Sequence, residues 1–243
     1  MSRKERFAPE AGQPSGFAKL APARLRCRRV PQCDDTNMRL LWTAFLLAGA
    51  ASGAEWKQLF NGKDLSGWEH VGPGRFVVEN GMLKPEGGMG LLWYTPKKFG
   101  NTTLRVIFKT MGDHDNSGLY IRFPEAPKDP WYAIHNGYEV QIDSADDDWH
   151  CTGSIYSLSK VSRRNQKPKG EWNTLEVTLK GQKETIVKLN GEVINDYTEG
   201  QPVPPRTTHY EPVRGPRSEY GYIGLQNHDG RTNMYFKEVS VLE

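Results

Sequence analysis

Cysteine is nearly missing from this chain, with three in 243 residues. Two of them, Cys27 and Cys33, stand in the first 37 residues at a spacing that matches no strong metal or redox pattern. Beyond residue 54 only Cys151 remains. That stretch cannot close an internal disulfide, so its fold has to rest on an apolar core, which its length permits. Long hydrophobic runs are missing too. The apolar run from Leu40 to Ala51 is shorter than the ~20 residues of a spanning helix, so no stable membrane span is expected. Low-complexity tracts are absent from most of the chain and 25% of its residues are charged, which excludes wholesale disorder and collagen-like structure. No His-x-x-x-His pair or other zinc spacing occurs, and there is no dinucleotide fingerprint.

Basic charge is scarce where it would matter. The formal net charge is +3, but residues 1–37 hold eight basic and four acidic side chains and residues 38–54 add Arg39. From Glu55 onward the balance is −2. The excess belongs to the leader, and a nucleic-acid partner is not expected. From Met38 the sequence reads as a secretory signal peptide, with one arginine, the apolar run, then Ser52 and Ala54. Cleavage near Ala54 and a secreted or periplasmic location follow as expectations. Residues 1–37 read as an unstructured upstream segment or a mis-called start, leaving 55–243 as one domain.

That domain consists of short β-type runs punctuated by turns. Leu104, Val106 and Phe108 alternate with polar neighbours, as do Leu175, Val177 and Leu179, the period of half-buried strands. Asn80-Gly81 and Asn190-Gly191 each separate two such runs and predict type I′ hairpins. The fold class expected is all-β, an antiparallel sandwich or barrel. Two Pro-rich stretches, 124–137 and 200–221, resist strand assignment. Asp113 to Gly118 opens like a calcium loop but has Pro124 at the twelfth position, and it reads as a hairpin turn. Asp146-Asp147-Asp148 reads as a solvated turn.

The segment from Gly137 to Asp143 is the most informative. In a strand Glu139, Gln141 and Asp143 share one face, while Tyr138, Val140 and Ile142 take the other. A row of carboxylate, amide and carboxylate is expensive on a covered sheet unless it lines a wet cleft. The alternation of residues 116–122 places Tyr120 and Arg122 on that same face. Of the six histidines, His150 and His228 stand beside polar groups at strand ends.

Residues 55–243 contain, in order, blocks that include LFNGKDLSGWE, ENGMLKPEGGMGLLWY, NSGLYIRFP, GYEVQID, HCTGSIYSL, KPKGEWNTLEV, LNGEVINDY and YGYIGLQNH. In these blocks the chain resembles the 3-keto-disaccharide hydrolase family, also described as the 3-keto-glucoside 1,2-lyase and 3-keto-2-hydroxy-glucal hydratase domain. Cys151 stands where members often carry arginine. The resemblance implies a concanavalin A-like, laminarinase-like β-sandwich or jelly roll with a concave sugar-binding face. It also implies an enzyme acting on 3-keto-glycosides or other small carbohydrates already oxidised at C3 by a separate sugar 3-dehydrogenase. No cofactor is indicated by the sequence, although a divalent metal is compatible with the chemistry.

Koshland glycosidases hold two carboxyls ~5 to ~9.5 Å apart, whereas Glu139 and Asp143 have backbones ~13 Å apart along one strand. Elimination needs only one base and one donor cluster, because a C3 ketone acidifies the C2 proton. On that mechanism Asp143 or His150 is the base, Glu139 and Gln141 position hydroxyls, and Arg122 stabilises the enolate. His228 protonates the leaving oxygen, and Trp131 and Tyr132 stack on the sugar. A non-catalytic lectin-like module is the competing expectation, since the same sandwich hosts lectins, and hydrolysis of ordinary β-glucans is a third.

Overall fold

A computed structural model describes residues 55–243. The upstream segment, the expected signal peptide, Cys27 and Cys33 lie outside the described residues. The described chain forms β1 (Lys57–Gln58), β2 (Trp68–Val71), β3 (Arg75–Glu79), β4 (Met82–Glu86), β5 (Gly90–Tyr94), β6 (Thr102–Thr110) and β7 (Asn116–Phe123). A six-residue helix, α1 (Trp131–Asn136), precedes β8 (Tyr138–Asp143), β9 (Asn173–Lys180), β10 (Glu184–Leu189), β11 (Glu192–Thr198), β12 (Tyr222–Asn227) and β13 (Met234–Leu242). The larger sheet runs β11-β10-β9-β6-β13-β4-β3, with β1 on β13, and the smaller runs β2-β5-β12-β7-β8. The pairings are antiparallel.

Alternation explains why these segments became strands. In β6 and β9 the leucines, valines and Phe108 are buried while the residues between them are half-exposed, apart from the exposed Lys180. The buried set meets Leu92, Leu119, Ile121, Val140, Ile142 and Leu225 of the smaller sheet in one core, the packing of a two-sheet sandwich. Asn80-Gly81 and Asn190-Gly191 turn β3 into β4 and β10 into β11, with φ of 51° and 77°, and 52° and 87°, as a type I′ turn requires. The turn at Asp113 is a different matter. β6 and β7 belong to different sheets, so it is a crossover between layers and not a hairpin. Asp115 holds it, accepting the backbone N–H of Met111 and of Gly112 at 2.7 Å and that of Asn233 at 2.8 Å.

The outer face of the smaller sheet is covered. Leu91, Trp93, Tyr120 and Phe123 form a second apolar cluster with Ala133 and Ile134 of α1. The segment 200–221 is tied down through Arg217, whose Nε donates to the Gly137 carbonyl at 2.7 Å, and through Arg214, whose Nη2 donates to the Ser157 carbonyl at 3.3 Å. It brings Tyr210 to the rim of a cleft over this face.

Candidate active site

The cleft has a volume of about 540 Å³, within the range of small-molecule sites. Its floor is β8, β7 and β12. Pairing sets Asn116 opposite Asp143, Gly118 opposite Gln141 and Tyr120 opposite Glu139, and Gln226 projects from β12. Apolar walls come from Met89, Trp131, Ile134 and Tyr210, and Asp146, Tyr156 and His228 complete the lining. Gly118 is essential to the layout. A Cβ there would lie 2.4 Å from Glu139 Oε1, so only glycine lets the carboxyl lie down on the neighbouring strand.

Glu139 is 5% exposed. Burial pushes its carboxyl up to about 8, opposed by the Tyr120 hydroxyl beside it. That hydroxyl accepts a hydrogen bond from Gln226 Nε2 at 2.6 Å, which orients it on the floor. Three buried acceptors, Glu139 Oε1, Gln141 Oε1 and Gln226 Oε1, have no hydrogen-bond partner within the protein. Buried polar atoms are rarely left so, and hydroxyl groups of a ligand in the cleft would supply the donors they lack. Tyr156, joined to β8 through its N–H to the Glu139 carbonyl at 2.9 Å, is held as the neutral phenol by burial and by the Glu139 charge. It can therefore donate a hydrogen bond.

Glu139, Gln141, His228 and Trp131 line the cleft, and Tyr120 is fully buried, its hydroxyl beside Glu139. The other candidates are placed elsewhere. Asp143 shares the β8 face but is bound by Asn116 Nδ2 at 2.9 Å and the Ala145 N–H at 2.8 Å. It lines a neighbouring cavity of about 570 Å³ together with Cys151 and Arg164, and burial raises its carboxyl. Arg122 leaves the shared face altogether. Between Tyr222 and Gly224 the pairing with β7 slips by one residue, and Arg122 takes φ 62°, so a bulge reverses the alternation. Its guanidinium donates to the carbonyls of Gly181, Glu184, Ser218 and Glu219 and does not reach Glu139. Gly221 permits the bulge, since a Cβ there would sit 2.4 Å from the Arg122 Cα.

His150 stands behind the wall of the cleft, edge-on to Tyr156 with ring centroids 5.1 Å apart, and lines a separate cavity. Tyr132 packs against the cluster beneath α1 while Trp131 faces the cleft, because successive helical residues point about 100° apart. Tyr156, Gln226, Asn116 and Tyr210 escaped the reading of the sequence. For Gln226 a signal existed, since period two counted back from His228 puts it on the same face. Among the described residues, Asp146, Asp147 and His150 bring three metal-capable atoms within 4.8 Å of one another. Both His150 ring nitrogens are bonded to protein side chains, Nδ1 to Asp147 at 2.8 Å and Nε2 to Ser157 at 2.9 Å, so an ion bound through Nδ1 would replace the Asp147 hydrogen bond.

Residues 55–242 match the family model described as 3-keto-alpha-glucoside-1,2-lyase-like domain. The chain belongs to this family. Two structures of candidate glycosyl hydrolases from Parabacteroides distasonis are similar to it at 25% identity. One has a TM-score of 0.63 and the other 0.61; each alignment covers 77% of this chain, and 98% and 93% respectively of the other. A Bacillus subtilis protein of galectin-like fold, 11% identical, has a TM-score of 0.54 over 77% of this chain and 94% of its own. That likeness shows the fold alone, a galectin-like or concanavalin A-like sandwich. No curated protein matches the sequence. Family and relatives together give a carbohydrate-related function, and no helix among the described residues is long and apolar enough to cross a membrane.

Proposed function

We propose that the protein cleaves the glycosidic bond of 3-keto-glycosides, with Glu139 as the base that removes the C2 proton. The observation that carries this reading is one buried carboxyl, raised to about 8 and lacking a partner at Oε1, on the floor of a cleft with an aromatic rim. A general base works best when its pKa lies near the operating pH. A module that only binds sugar has no need to bury such a group.

The C2–H bond breaks and its proton passes to Glu139. The electron pair forms the C2–C3 double bond of an enolate, whose charge rests on the C3 oxygen and is stabilised by the Tyr156 hydroxyl. Collapse restores the ketone, forms a C1–C2 double bond and breaks the bond from C1 to the leaving oxygen, which takes a proton from His228. Addition of water, with hydroxyl to C1 and proton to C2, completes net hydrolysis. Gln141 and Gln226 accept sugar hydroxyls, and Trp131 and Tyr210 cover the ring. The substrate reaches this site after a separate dehydrogenase has oxidised C3, outside the cytoplasm if the expected leader is used.

The test is incubation of wild type and Glu139→Gln with 3-keto-trehalose, following enone absorbance and product mass. Wild type should release glucose together with a 2-hydroxy-3-keto-glucal or its hydrate, and the variant should not. Binding without conversion by wild type would favour a lectin-like role, and cleavage of unoxidised β-glucan would favour an ordinary glycosidase.

A further inference from the structure

His150 is displaced from the cleft, and its displacement builds a second constellation. Its Nδ1 lies 2.8 Å from Asp147 Oδ1 and its Nε2 lies 2.9 Å from Ser157 Oγ. A carboxylate can only accept, so Nδ1 carries the hydrogen and Nε2 is left to accept from the serine hydroxyl. These are the atoms and order of a Ser-His-Asp nucleophile, base and orienter, which is recognised by geometry and not by sequence position. Ser157 has φ 58°, a left-handed conformation that a serine keeps only where its surroundings impose it. The imposition is visible: its N–H donates to the Trp149 carbonyl at 3.1 Å, and its own carbonyl accepts from Arg214 Nη2 at 3.3 Å.

Ser157 and His150 open onto a cavity of about 170 Å³ whose wall includes Trp149, Pro204, Pro205 and Arg214. Trp149, Pro204 and Pro205 suit a short acyl chain. Arg214 Nη2 is held by Glu211, also in the wall, at 2.8 Å, but Nη1 makes one hydrogen bond, to the Pro212 carbonyl at 2.7 Å, and keeps a second hydrogen for an oxyanion. Among the described residues, Asn190 and Asn80, the other non-glycine residues with left-handed backbones besides Arg122, sit in hairpin turns. Ser157 serves no hairpin.

We propose that Ser157, His150 and Asp147 form a second, esterase-type site that hydrolyses short-chain carboxylic esters such as acetyl groups on sugars. Ser157 Oγ bonds to the acyl carbon as its proton passes to His150 Nε2 and the carbonyl electron pair moves onto oxygen beside Arg214. Collapse expels the alcohol, which takes that proton. Water then gives a proton to Nε2 and attacks the acyl group, and Oγ leaves with the proton returned. Asp147 is 62% exposed, so its orienting effect is diluted by solvent and a slow esterase is expected.

The experiment uses p-nitrophenyl acetate and a fluorophosphonate label on the whole protein. Ser157→Gly removes the hydroxyl while suiting the left-handed backbone, so the variant keeps the fold. Wild type should release p-nitrophenolate above the buffer rate and carry the label on Ser157. Ser157→Gly should lose on the order of 10²-fold of that rate, Asp147→Asn should lose less, and cleavage of 3-keto-trehalose by Ser157→Gly should be unchanged. An ester rate that Ser157→Gly leaves unaltered, a rate no higher than buffer, or a label on another residue would overturn the proposal.

Discussion

Strands β6 and β8 obey the same alternation and use it for opposite ends. In β6, Leu104, Val106 and Phe108 are fully buried, and the set between them, Thr103, Arg105, Ile107 and Lys109, is half-exposed on the outer face of the larger sheet. There the polar groups satisfy one another at the surface, as in the Thr103–Thr178 hydroxyl contact at 3.0 Å and the Arg105–Glu238 bond at 2.7 Å. In β8 all six residues are buried, so the polar set has been taken from water as fully as the apolar one. Burying Glu139 Oε1 and Gln141 Oε1 without partners costs stability. A sheet that keeps such a cost on one face only has a use for that face.

Substitutions can break this contrast. The largest effect is expected at Glu139. Glu139→Gln should lower turnover of a 3-keto-glycoside by about 10²–10⁴-fold, measured by steady-state kinetics, while leaving the protein at least as stable. The sign follows from linkage. Burial pushes the folded carboxyl up to about 8 from the ordinary glutamate value of 4.5, so ionisation is disfavoured in the folded state and wild type loses stability as pH rises from 4.5 to 8. The Gln variant should therefore lack that loss, its advantage widening across this window and levelling off above it. Denaturant unfolding of both proteins at pH 5 and pH 8.5 checks it.

Leu104→Ala, on the buried side of β6, should cost about 2–5 kcal/mol of unfolding free energy with KM for substrate unchanged. Gly118→Ala should act on the opposite property. Its added methyl displaces the Glu139 carboxyl, and a shift of ~1 Å at a reacting group costs about 10² in rate, with little change in melting temperature. Thr103→Ala, on the outer face of β6, should be the mildest, within about 1 kcal/mol in stability and silent in activity.

Much of the sandwich was legible in the sequence because alternation and Asn-Gly turns are local signals. The polar row of β8 was legible for the same reason, and with it Glu139 and Gln141. Arg122 was misplaced because a single left-handed residue reverses every face beyond it, and nothing in NSGLYIRF marks where the pairing slips. Asp143 and His150 carried the right chemistry, but their hydrogen-bond partners come from the adjacent strand and from loop residues, which alternation cannot locate. Tyr156 was missed because it enters the cleft from an irregular segment. The choice of Glu139 over Asp143 as base rests on depth of burial, a property of the assembled sheet.

The central claim is that Glu139 removes the C2 proton. Its most direct test is cleavage of a 3-keto-glucoside deuterated at C2, with deuterium followed by NMR and rate followed against pH. The account predicts loss of C2 deuterium, slower cleavage than for the unlabelled sugar, a limb in kcat/KM rising toward about 8, and no exchange with Glu139→Gln. Cleavage that retains deuterium at C2, or exchange as fast in Glu139→Gln as in wild type, would contradict it.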